Sequence, residues 1–537
     1  MGAGKLTGRT AGGLSMGALL AVTGREEGRA YFLDDDEHVT FVAEPTTRYG
    51  TVRLQQELRD ARSRIGGIVT AVDRDLPSDG ALDVLPHRSF SAGVDFEHTW
   101  SDREWAVWGF VAGSHVGGDT AAMVRLQRAP NHYYQRPDQD YLELDSAATS
   151  LAGAEWRLQF ERRSGRHWTG GAWVGQRTPG FEVNDLGFSN ATERIDAGAR
   201  VQYREPMPGP VFRSYRVALV THHSWRHEVL DDVLSARAWG DARKAGRVRA
   251  DVGLTFLNWW GLNIDLDYEP EVLSDILTRG GPLMVDPGSR GVRVSGNTDR
   301  RDLVTLRGSI GYEDGLRGGG SFSAGFGAEA RPTSGVVLSL GPSYRRQHNI
   351  RQYVTTFDDP GYAPTFGARY LFAELRREEL AIETRFNLIL SPHLSLEVFA
   401  QPLVSAGDFA GYRELARSGS FEFREFVEGA AEVRNEGVAC VGGDLCRHDG
   451  RIHFDHSGDD VADASIREQN FSIRSLRGSA VLRWEYRPGS RLYLVWQHSR
   501  QGRDALGAFD LGRDARALFD TPGRHTFMIK VDHWIDI

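Results

Sequence analysis

The 537-residue sequence contains no long hydrophobic run. No segment approaches the roughly 20 consecutive apolar residues that a membrane-spanning helix requires. Hydrophobic residues make up 40% of the chain and charged residues 26%. Such a composition is typical of a soluble protein. It is equally typical of a membrane β-barrel, because only every second residue of a barrel strand faces lipid. The pattern of residues must therefore decide between these two classes.

Lysine and cysteine are also scarce. Lysine occurs only at Lys5, Lys244 and Lys530, so nearly all basic residues are arginine. The net charge of -9 argues against a general nucleic-acid binder, and we expect no nucleic-acid partner. The two cysteines, Cys440 and Cys446, lie close together in a polar segment. An exported protein could join them in a disulfide, whereas a cytosolic protein would keep two thiols. Two cysteines alone are a poor basis for a metal site.

Alternation of apolar and polar residues is the dominant pattern, and residues 475–500 show it most clearly. Leu482 and Trp484 alternate with Arg483 and Glu485, which predicts a strand with one apolar and one charged face. Residues 487–490 then supply Pro and Gly for a tight turn into a second strand. The same pattern recurs along the whole chain in about 22–24 segments, many of them near the roughly 9–11 residues that cross a bilayer at a tilt.

Short and long connections alternate between these segments. The long polar connections are predicted at 23–48, 73–88, 114–149, 178–193, 227–245, 270–289, 402–469 and 500–523. Short turns at one end of the strands and long loops at the other are typical of an outer-membrane barrel. Within 114–149, the near-helical spacing of Ala122, Val124, Leu126 and Gln127 predicts one short helix.

Aromatic residues gather beside the short turns. Trp100 and Trp105 bracket one turn, and Trp259 and Trp260 lie in another. This placement favours the aromatic girdle of a membrane interface. Ordinary core aromatics at strand ends are the alternative interpretation.

The N-terminal residues allow two interpretations. Lys5 and Arg9 precede a mildly apolar stretch at 13–22, as in a signal peptide. However, glycines and Ser15 interrupt that stretch, and Leu14 and Met16 fall on one side of an alternating pattern. We therefore expect a strand here, in a chain that carries no export signal and starts inside a longer protein.

Together these patterns predict an all-β fold, a large closed antiparallel transmembrane β-barrel that forms one domain over residues 1–537. Its long outer loops are expected at 114–149 and 402–469. Charged residues opposite the apolar faces would line the lumen, whereas in a soluble sandwich they would form a solvated outer face. The lumen-lining candidates are Arg247, Arg249, Asp251, Arg307, Arg385, Arg477 and Arg483.

Other polar groups give weaker signals. Asp455, Asp459, Asp460 and Asp463 are spaced like oxygen ligands of Ca²⁺, but the order of an EF-hand is missing and a solvated acidic loop is favoured. Glu425 and Glu428 could act as a paired acid and base as in glycosidases, although carboxylates are too common for this to carry weight. No P-loop or HExxH motif occurs, and we predict no catalytic residue, resident metal or cofactor.

Several short motifs together carry a resemblance. They are LRWEYRPGSRLYLVWQHSR at 482–500, PGFEVNDLGF at 179–188, LNWWG at 257–261, TRGGP at 278–282 and LSLEVFAQPLVSAG at 394–407. In this order they resemble an uncharacterised bacterial outer-membrane family, the barrel called domain-of-unknown-function family 5916. In that family the barrel usually follows a signal peptide and a domain similar to carbohydrate-binding family nine. Residues 2–24 resemble an early barrel hairpin instead, so we expect this chain to be N-terminally truncated relative to the family.

The expected function is that of a bacterial outer-membrane pore, receptor or uptake component, with glycan-derived ligands as one option. The expected partners are outer-membrane lipid, the barrel-assembly machinery and a glycan or small-molecule ligand. A secreted or periplasmic β-rich glycan hydrolase or carbohydrate-binding protein is the alternative from another class. A purely structural barrel, plugged by its own loops or by the missing N-terminal domain, is the third.

Overall fold

The structure, a computed structural model, describes residues 2–32, 37–435 and 437–534. Strands account for 63% of the residues and helices for 6%. Within the described ranges there are 31 strands and three α-helices, and 22 of the strands belong to one antiparallel sheet. The predictions of an all-β chain and of a large antiparallel sheet are confirmed.

The strands and helices have the following bounds. The first sixteen strands are β1 (Gly2–Arg9), β2 (Leu14–Thr23), β3 (Glu26–Phe32), β4 (Glu37–Glu44), β5 (Thr46–Leu58), β6 (Ser63–Asp75), β7 (Arg88–Trp100), β8 (Trp105–Gly117), β9 (Ser150–Arg162), β10 (Trp168–Arg177), β11 (Arg194–Glu205), β12 (Phe212–Trp225), β13 (Arg243–Phe256), β14 (Gly261–Glu269), β15 (Val272–Ser274) and β16 (Met284–Asp286). The others are β17 (Ser289–Asn297), β18 (Val304–Gly315), β19 (Gly320–Thr333), β20 (Val336–Asp358), β21 (Ala368–Ser391), β22 (Leu394–Leu415), β23 (Phe423–Glu425), β24 (Ala430–Arg434), β25 (Gly437–Val441), β26 (Leu445–His448), β27 (Arg451–Phe454), β28 (Ala464–Arg467), β29 (Phe471–Arg487), β30 (Ser490–Asp504) and β31 (Arg524–Asp532). The α-helices are α1 (Thr120–Arg128), α2 (Ala236–Asp241) and α3 (Leu511–Asp520).

The chain forms two compact units. Unit 1 comprises Met1–Arg204, Ala218–Val248 and Pro270–Asp286. Within it β1 pairs with β2, β2 with β5, and β5 to β11 then pair in chain order. The β1–β2 hairpin runs in register from Gly2 opposite Val22 to Arg9 opposite Ser15, so the strand interpretation of the N-terminal residues is confirmed. Five strands, β5 to β9, are each 13 residues long, well beyond the average of about 5–6.

Unit 2 comprises Glu205–Val217, Arg249–Glu269 and Pro287–Ile537. Its long strands also pair antiparallel with the next long strand along the chain, from β14 with β17 through β22 with β29 to β30 with β31. Strands β20, β21 and β22 reach 23, 24 and 22 residues. The connection between β22 and β29 contains two small sheets, β24–β25 and β26–β27–β28.

In both units the middle of the long strands presents apolar side chains that nothing in the same unit covers. Val94 on β7 is 61% exposed and Val111, its partner in register on β8, is 63% exposed. In unit 2, Ile310 on β18 is 59% exposed. A β-sandwich would bury these positions against a second sheet. The alternation predicted from the sequence is therefore present, but the strand faces do not form an internal core within either unit.

The buried apolar clusters lie where long connections pack on strand ends. One in unit 1 joins α1 to the ends of β8 and β9 and contains Val116, Ala122, Met123, Tyr134 and Leu151. One in unit 2 packs the small sheet β26–β27–β28 against β21 and β22, and contains Leu371, Ala373, Tyr412, Leu445, Ile452 and Phe454. The long connections are thus folded structures with cores of their own.

The predicted connections differ in detail from those of the structure. Short and long connections alternate along the chain as predicted. The connection between β18 and β19, residues 316–319, is an exception, because it is short where the alternation predicts a long loop. The loop predicted over 114–149 begins after Gly117 and contains α1 as expected. The loop predicted over 402–469 begins later, because β22 continues to Leu415, and it contains β23 to β28.

Helices α2 and α3 were not predicted. α3 lies in the polar connection before β31, and the Asp510 carboxylate caps it by accepting a hydrogen bond from the Arg513 backbone N–H at 2.9 Å. Leu511, Ala515 and Leu518 have helical spacing, so a signal for α3 was present in the sequence. None of the helices in the described part of the chain is both long enough and apolar enough to span a bilayer.

Candidate functional site

The polar face of β5 to β9 in unit 1, here called the paired face, carries ionic side chains that satisfy one another. The Arg53 guanidinium donates to the Asp95 carboxylate at 2.9 Å. Arg163 donates to Glu97 at 3.0 Å and to Glu161 at 2.6 Å. Arginines on this face are thus held by carboxylates of neighbouring strands. Such pairs fix the side chains and leave little charge available for a ligand.

Aromatic rings add to the paired face. The Arg157 guanidinium lies 4.0 Å from the ring centre of Trp173 and 5.3 Å from that of Trp108, and it donates to the Gln159 side chain at 2.9 Å. The Trp108 indole N–H in turn donates to Glu161 at 3.2 Å. The cation is therefore held by rings as well as by hydrogen bonds.

The polar face of β14 and β17 to β20 in unit 2 is built differently. Small polar or glycine residues follow one another in register across five strands: Asn263, Ser295, Ser309, Gly325 and Ser343. Residues in register across an antiparallel sheet point to the same face, so this row forms a low floor. The floor belongs to a concavity of about 620 Å³, here called the trough.

Arginines border the floor on both sides. Arg307 lies in the next row, opposite Asn297 on β17 and Gly327 on β19. Arg293 and Arg345 lie in the row on the other side of the floor. Within the ranges that the structure describes, none of these three arginines forms an ion pair or a side-chain hydrogen bond. Arg293 lies opposite Asp265 and Arg345 lies opposite Glu379, whereas Arg307 has no carboxylate in register beside it.

Glycine allows the Arg307 side chain to lie flat. A Cβ added at Gly327 would lie 2.3 Å from the Arg307 Nε. Arg307 therefore crosses the backbone of β19 at a position where no other residue fits. Further along, Arg331 and Glu329 line the trough as an ion pair at 2.7 Å.

The long connections of unit 1 form a second polar site, here called the loop cap, from residues 118–149, 178–193, 226–242 and 270–286. Lys244 lies at its centre and donates to the Glu193 backbone carbonyl at 3.2 Å and to the Glu193 carboxylate at 3.3 Å. Lys244 also forms an ion pair with Asp275. Burial alone would raise the pKa of Asp275, but the Lys244 ammonium holds that pKa below its ordinary value.

Further hydrogen bonds complete the loop cap. Glu193 accepts from the Tyr141 hydroxyl and from the His227 backbone N–H, both at 2.7 Å. Burial raises the pKa of Tyr141, which keeps the phenol protonated as a donor. Arg226 is buried and donates to the Leu273 carbonyl at 3.0 Å. The four connections are thus joined through buried charged groups around a cavity of about 130 Å³.

Two of the sequence motifs lie in the loop cap. Within PGFEVNDLGF (179–188), Glu182 forms a buried pair with His132 at 2.9 Å. Burial alone would raise the pKa of Glu182, but the hydrogen bonds that its carboxylate accepts, including the one from His132, lower that pKa. Within TRGGP (278–282), the Thr278 hydroxyl donates to the Pro282 carbonyl at 2.7 Å. The sequence did not indicate Lys244 or Asp275, because their pairing joins connections that are distant along the chain.

The predicted lumen candidates fall into separate environments. Arg249 donates to Asp267 at 2.8 Å, and Arg385 pairs with Glu383 at 2.8 Å. Arg307 borders the trough. The others lie on long strands with their side chains partly or well exposed: Arg247, Asp251, Arg477 and Arg483. That these residues line a lumen stays a prediction.

The acidic segment predicted as a weak Ca²⁺-like loop uses its carboxylates internally. Asp455 accepts from the backbone N–H groups of Gly458 at 2.6 Å and Asp460 at 2.8 Å. Asp463 pairs with the His456 imidazole at 2.7 Å. No group of three or more His, Cys, Asp or Glu residues in the described ranges is arranged to hold a metal ion.

Two remaining candidates from the sequence lie in the same connection. Cys440 and Cys446 form a disulfide bond. Glu425 and Glu428 contact different arginines, Arg413 at 3.9 Å and Arg447 at 3.1 Å. Each carboxylate therefore has a cationic partner of its own.

Comparison with solved structures finds outer-membrane receptors with low sequence identity. The FrpB iron transporter from Neisseria meningitidis (F5-1 variant) is 10% identical with a TM-score of 0.42, covering 92% of this chain and 74% of that one. A variant of the ferric enterobactin receptor from Pseudomonas aeruginosa, in complex with enterobactin, is 9% identical with a TM-score of 0.38, covering 91% and 76%. The siderophore receptor PirA from Acinetobacter baumannii is 8% identical with a TM-score of 0.34, covering 84% and 73%.

No curated protein matches the chain. A family match, by contrast, covers most of it and agrees with the resemblance seen in the motifs. Residues 113–537 match the family described as Domain of unknown function (DUF5916), and the protein belongs to that family.

Proposed function

We propose that the protein is an outer-membrane β-barrel that acts in the reception or uptake of a small ligand. The observation that carries this proposal is the exposure of apolar side chains at mid-strand, as at Val94 and Val111. Soluble proteins rarely expose large contiguous apolar surfaces, whereas barrel strands present such residues to lipid. The buried clusters around the long connections show that this chain can build a core where it needs one.

Closure of the sheet is part of the proposal. A bilayer offers no water to satisfy unpaired backbone groups, so a spanning sheet has to close on itself. The 22-stranded sheet includes the three-residue β23, and a barrel of its other strands lies within the known range and is wide enough to enclose a lumen. The polar faces of the strands would then line that lumen, and the lipid-facing rows would lie outside.

Two further observations support this location. The ring centres of Trp105 and Phe160 lie 5.4 Å apart beside a short turn of unit 1. Trp260 is exposed in a short turn of unit 2. Aromatic rings at strand ends are expected at a membrane interface. The disulfide between Cys440 and Cys446 is typical of proteins outside the reducing cytosol.

The membrane assignment is tested by fractionation and by gel mobility with and without boiling. A barrel is recovered with the outer membrane and migrates faster before heating than after it. Recovery in the soluble fraction, with mobility unchanged by heat, contradicts the proposal and favours a β-rich soluble protein.

The transport part has its own test. Full-length protein reconstituted in planar bilayers is expected to show conductance or a ligand-dependent response. Absence of both removes the uptake role while leaving the barrel intact.

A second candidate is a structural barrel that its own loops plug. The buried ion pairs of the loop cap favour it, because they hold four connections in one arrangement. In that case wild-type protein is silent in bilayers, and Lys244→Met, which loosens the cap, conducts. If both proteins are silent, loosening the cap gives no support to this candidate.

A further inference from the structure

We propose that the trough of unit 2 is a binding site for a small hydroxylated anion, such as a sugar carrying a carboxylate or a phosphate group. This inference deepens the proposed function, since a lumen wall is where a transported solute would meet the trough. The binding step itself depends only on unit 2.

Charge is the first argument. Arg307 lines the concavity and has no ion pair within the described ranges, whereas Arg293 and Arg345 lie outside its lining and opposite Asp265 and Glu379. A guanidinium offers a planar fork of donors that matches carboxylate and phosphate groups. Arg53 of unit 1, by contrast, is paired with Asp95. The Arg307 guanidinium is therefore available for an anion from outside the protein.

The floor supplies the second argument. Ser295, Ser309 and Ser343 offer hydroxyls that both donate and accept, and Asn263 offers an amide that does the same. These groups suit a ligand that carries several hydroxyls of its own. Phe326 also lines the concavity, although its register with Gly308 directs its side chain to the opposite face. Recognition in the trough would thus depend on hydrogen bonds and charge.

Size and shape agree with a small molecule. The volume of about 620 Å³ lies within the range of roughly 300–1,000 Å³ typical of ligand pockets. The floor stays low because Gly325 and the serines carry little or no side chain. Gly327 leaves room for the Arg307 side chain to extend over β19.

Binding is tested by calorimetry on the full chain in detergent at low salt, with glucuronate, glucose 6-phosphate and glucose as probes. The two anions are expected to bind at least about tenfold more tightly than glucose, since a charge-assisted hydrogen bond contributes more than a neutral one. Comparing the two anions shows whether carboxylate or phosphate is preferred. Added salt should weaken the anions and leave glucose unchanged.

Two variants separate charge from shape. Arg307→Gln is expected to weaken the binding of glucuronate by about tenfold or more. Ser309→Leu keeps every charge but fills the floor, and it should weaken both anions to a similar extent. Arg290→Gln is the matched control, because Arg290 lies on the same strand as Arg293 but pairs with Asp314 at 2.8 Å. It should bind as the wild type does.

Equal binding of the three probes, or equal binding by wild type and Arg307→Gln, would overturn the anion site. Failure of the membrane assignment would be seen separately, in the fractionation experiment, and would leave these affinities unchanged. The two proposals can therefore fail independently.

Discussion

In both the paired face of unit 1 and the trough of unit 2, an arginine extends across a glycine of the neighbouring strand. The two arginines differ in whether a carboxylate receives them. Arg53 lies across Gly66, where an added Cβ would come within 2.5 Å of its Nη2, and it reaches Asp95 on the next strand. Arg307 lies across Gly327 in the same manner, but no carboxylate receives it. A glycine in the middle strand lets an arginine extend over the sheet in both cases. The residue on the far strand then decides whether the cation is structural or available.

The comparison implies that pairing, rather than arginine content, determines what each polar surface does. Removing a partner should cost stability in proportion to burial. Removing an unpaired arginine should cost function and little stability. The predictions below run from the largest expected effect to the smallest.

Lys244→Met tests the buried pairing of the loop cap. It leaves the Asp275 and Glu193 carboxylates buried without their cation, and breaking such a pair costs about 3–5 kcal/mol. The free energy of unfolding, from denaturant titration in lipid vesicles, measures the loss. Lys530→Met is the matched control, since Lys530 is well exposed and its pair with Asp532 should contribute less than about 1 kcal/mol. Equal losses in the two variants would contradict the role of the loop cap.

The same pair predicts a dependence on pH. The folded pKa of Asp275 lies below its ordinary value of 3.8, so its contribution to stability is present above about pH 4. It is lost as the pH falls through the lower folded pKa. In Lys244→Met, burial acts on Asp275 without the ammonium and raises its pKa. The difference in unfolding free energy between wild type and variant should therefore begin to shrink above about pH 4 and continue to shrink on acidification. A difference that grows under acid would show that Asp275 is not ionised in the fold.

Val94→Arg tests the apolar strand face of unit 1. Arginine at mid-bilayer on a lipid-facing position should destabilise the barrel by about 2–4 kcal/mol, measured as above. Ser91→Arg, on the polar face of the same strand, should cost clearly less. A reversed order would mean that the two faces are assigned the wrong way round.

Asp95→Asn would convert part of the paired face toward the character of the trough. Because Arg53 and Asp95 are only half-buried, the expected cost is about 1 kcal/mol in unfolding free energy. The released arginine should also give a new, weak site for glucuronate in calorimetry. If no such site forms, an unpaired arginine is insufficient and the serine floor of the trough is essential.

Arg307→Gln should change stability least. With no protein partner to lose, its unfolding free energy should stay within about 0.5 kcal/mol of the wild type. A larger loss would show that Arg307 has a structural role, and the contrast between the two surfaces would disappear.

The sequence predicted the strands well because alternation is local: the faces of β7, with Val94 and Phe96 opposite Asp95 and Glu97, can be read from adjacent residues. The N-terminal hairpin and α1 were predicted for the same reason. The fate of the arginines was not predicted, because it depends on register. Arg249 meets Asp267 on a neighbouring strand, whereas Arg307 meets Gly327, and nothing in the local sequence distinguishes the two.

The loop cap could not be predicted on similar grounds. Lys244, Glu193 and Asp275 come from three separate parts of the chain and meet only once the strands between them have paired. Helix α2 has only six residues, too few to show a periodic pattern. The disulfide, by contrast, joins residues so close in sequence that it was open to prediction as one of two alternatives.

Because the chain contains only three lysines, chemical modification of lysine can report how often the loop cap opens. Lys5 and Lys530 are exposed and would react with amine-directed reagents in the intact protein, whereas the Lys244 side chain is 10% exposed and surrounded by carboxylates. Covalent modification of residue 244, detected by peptide mass spectrometry, would therefore record how often the cap opens, without any engineered label.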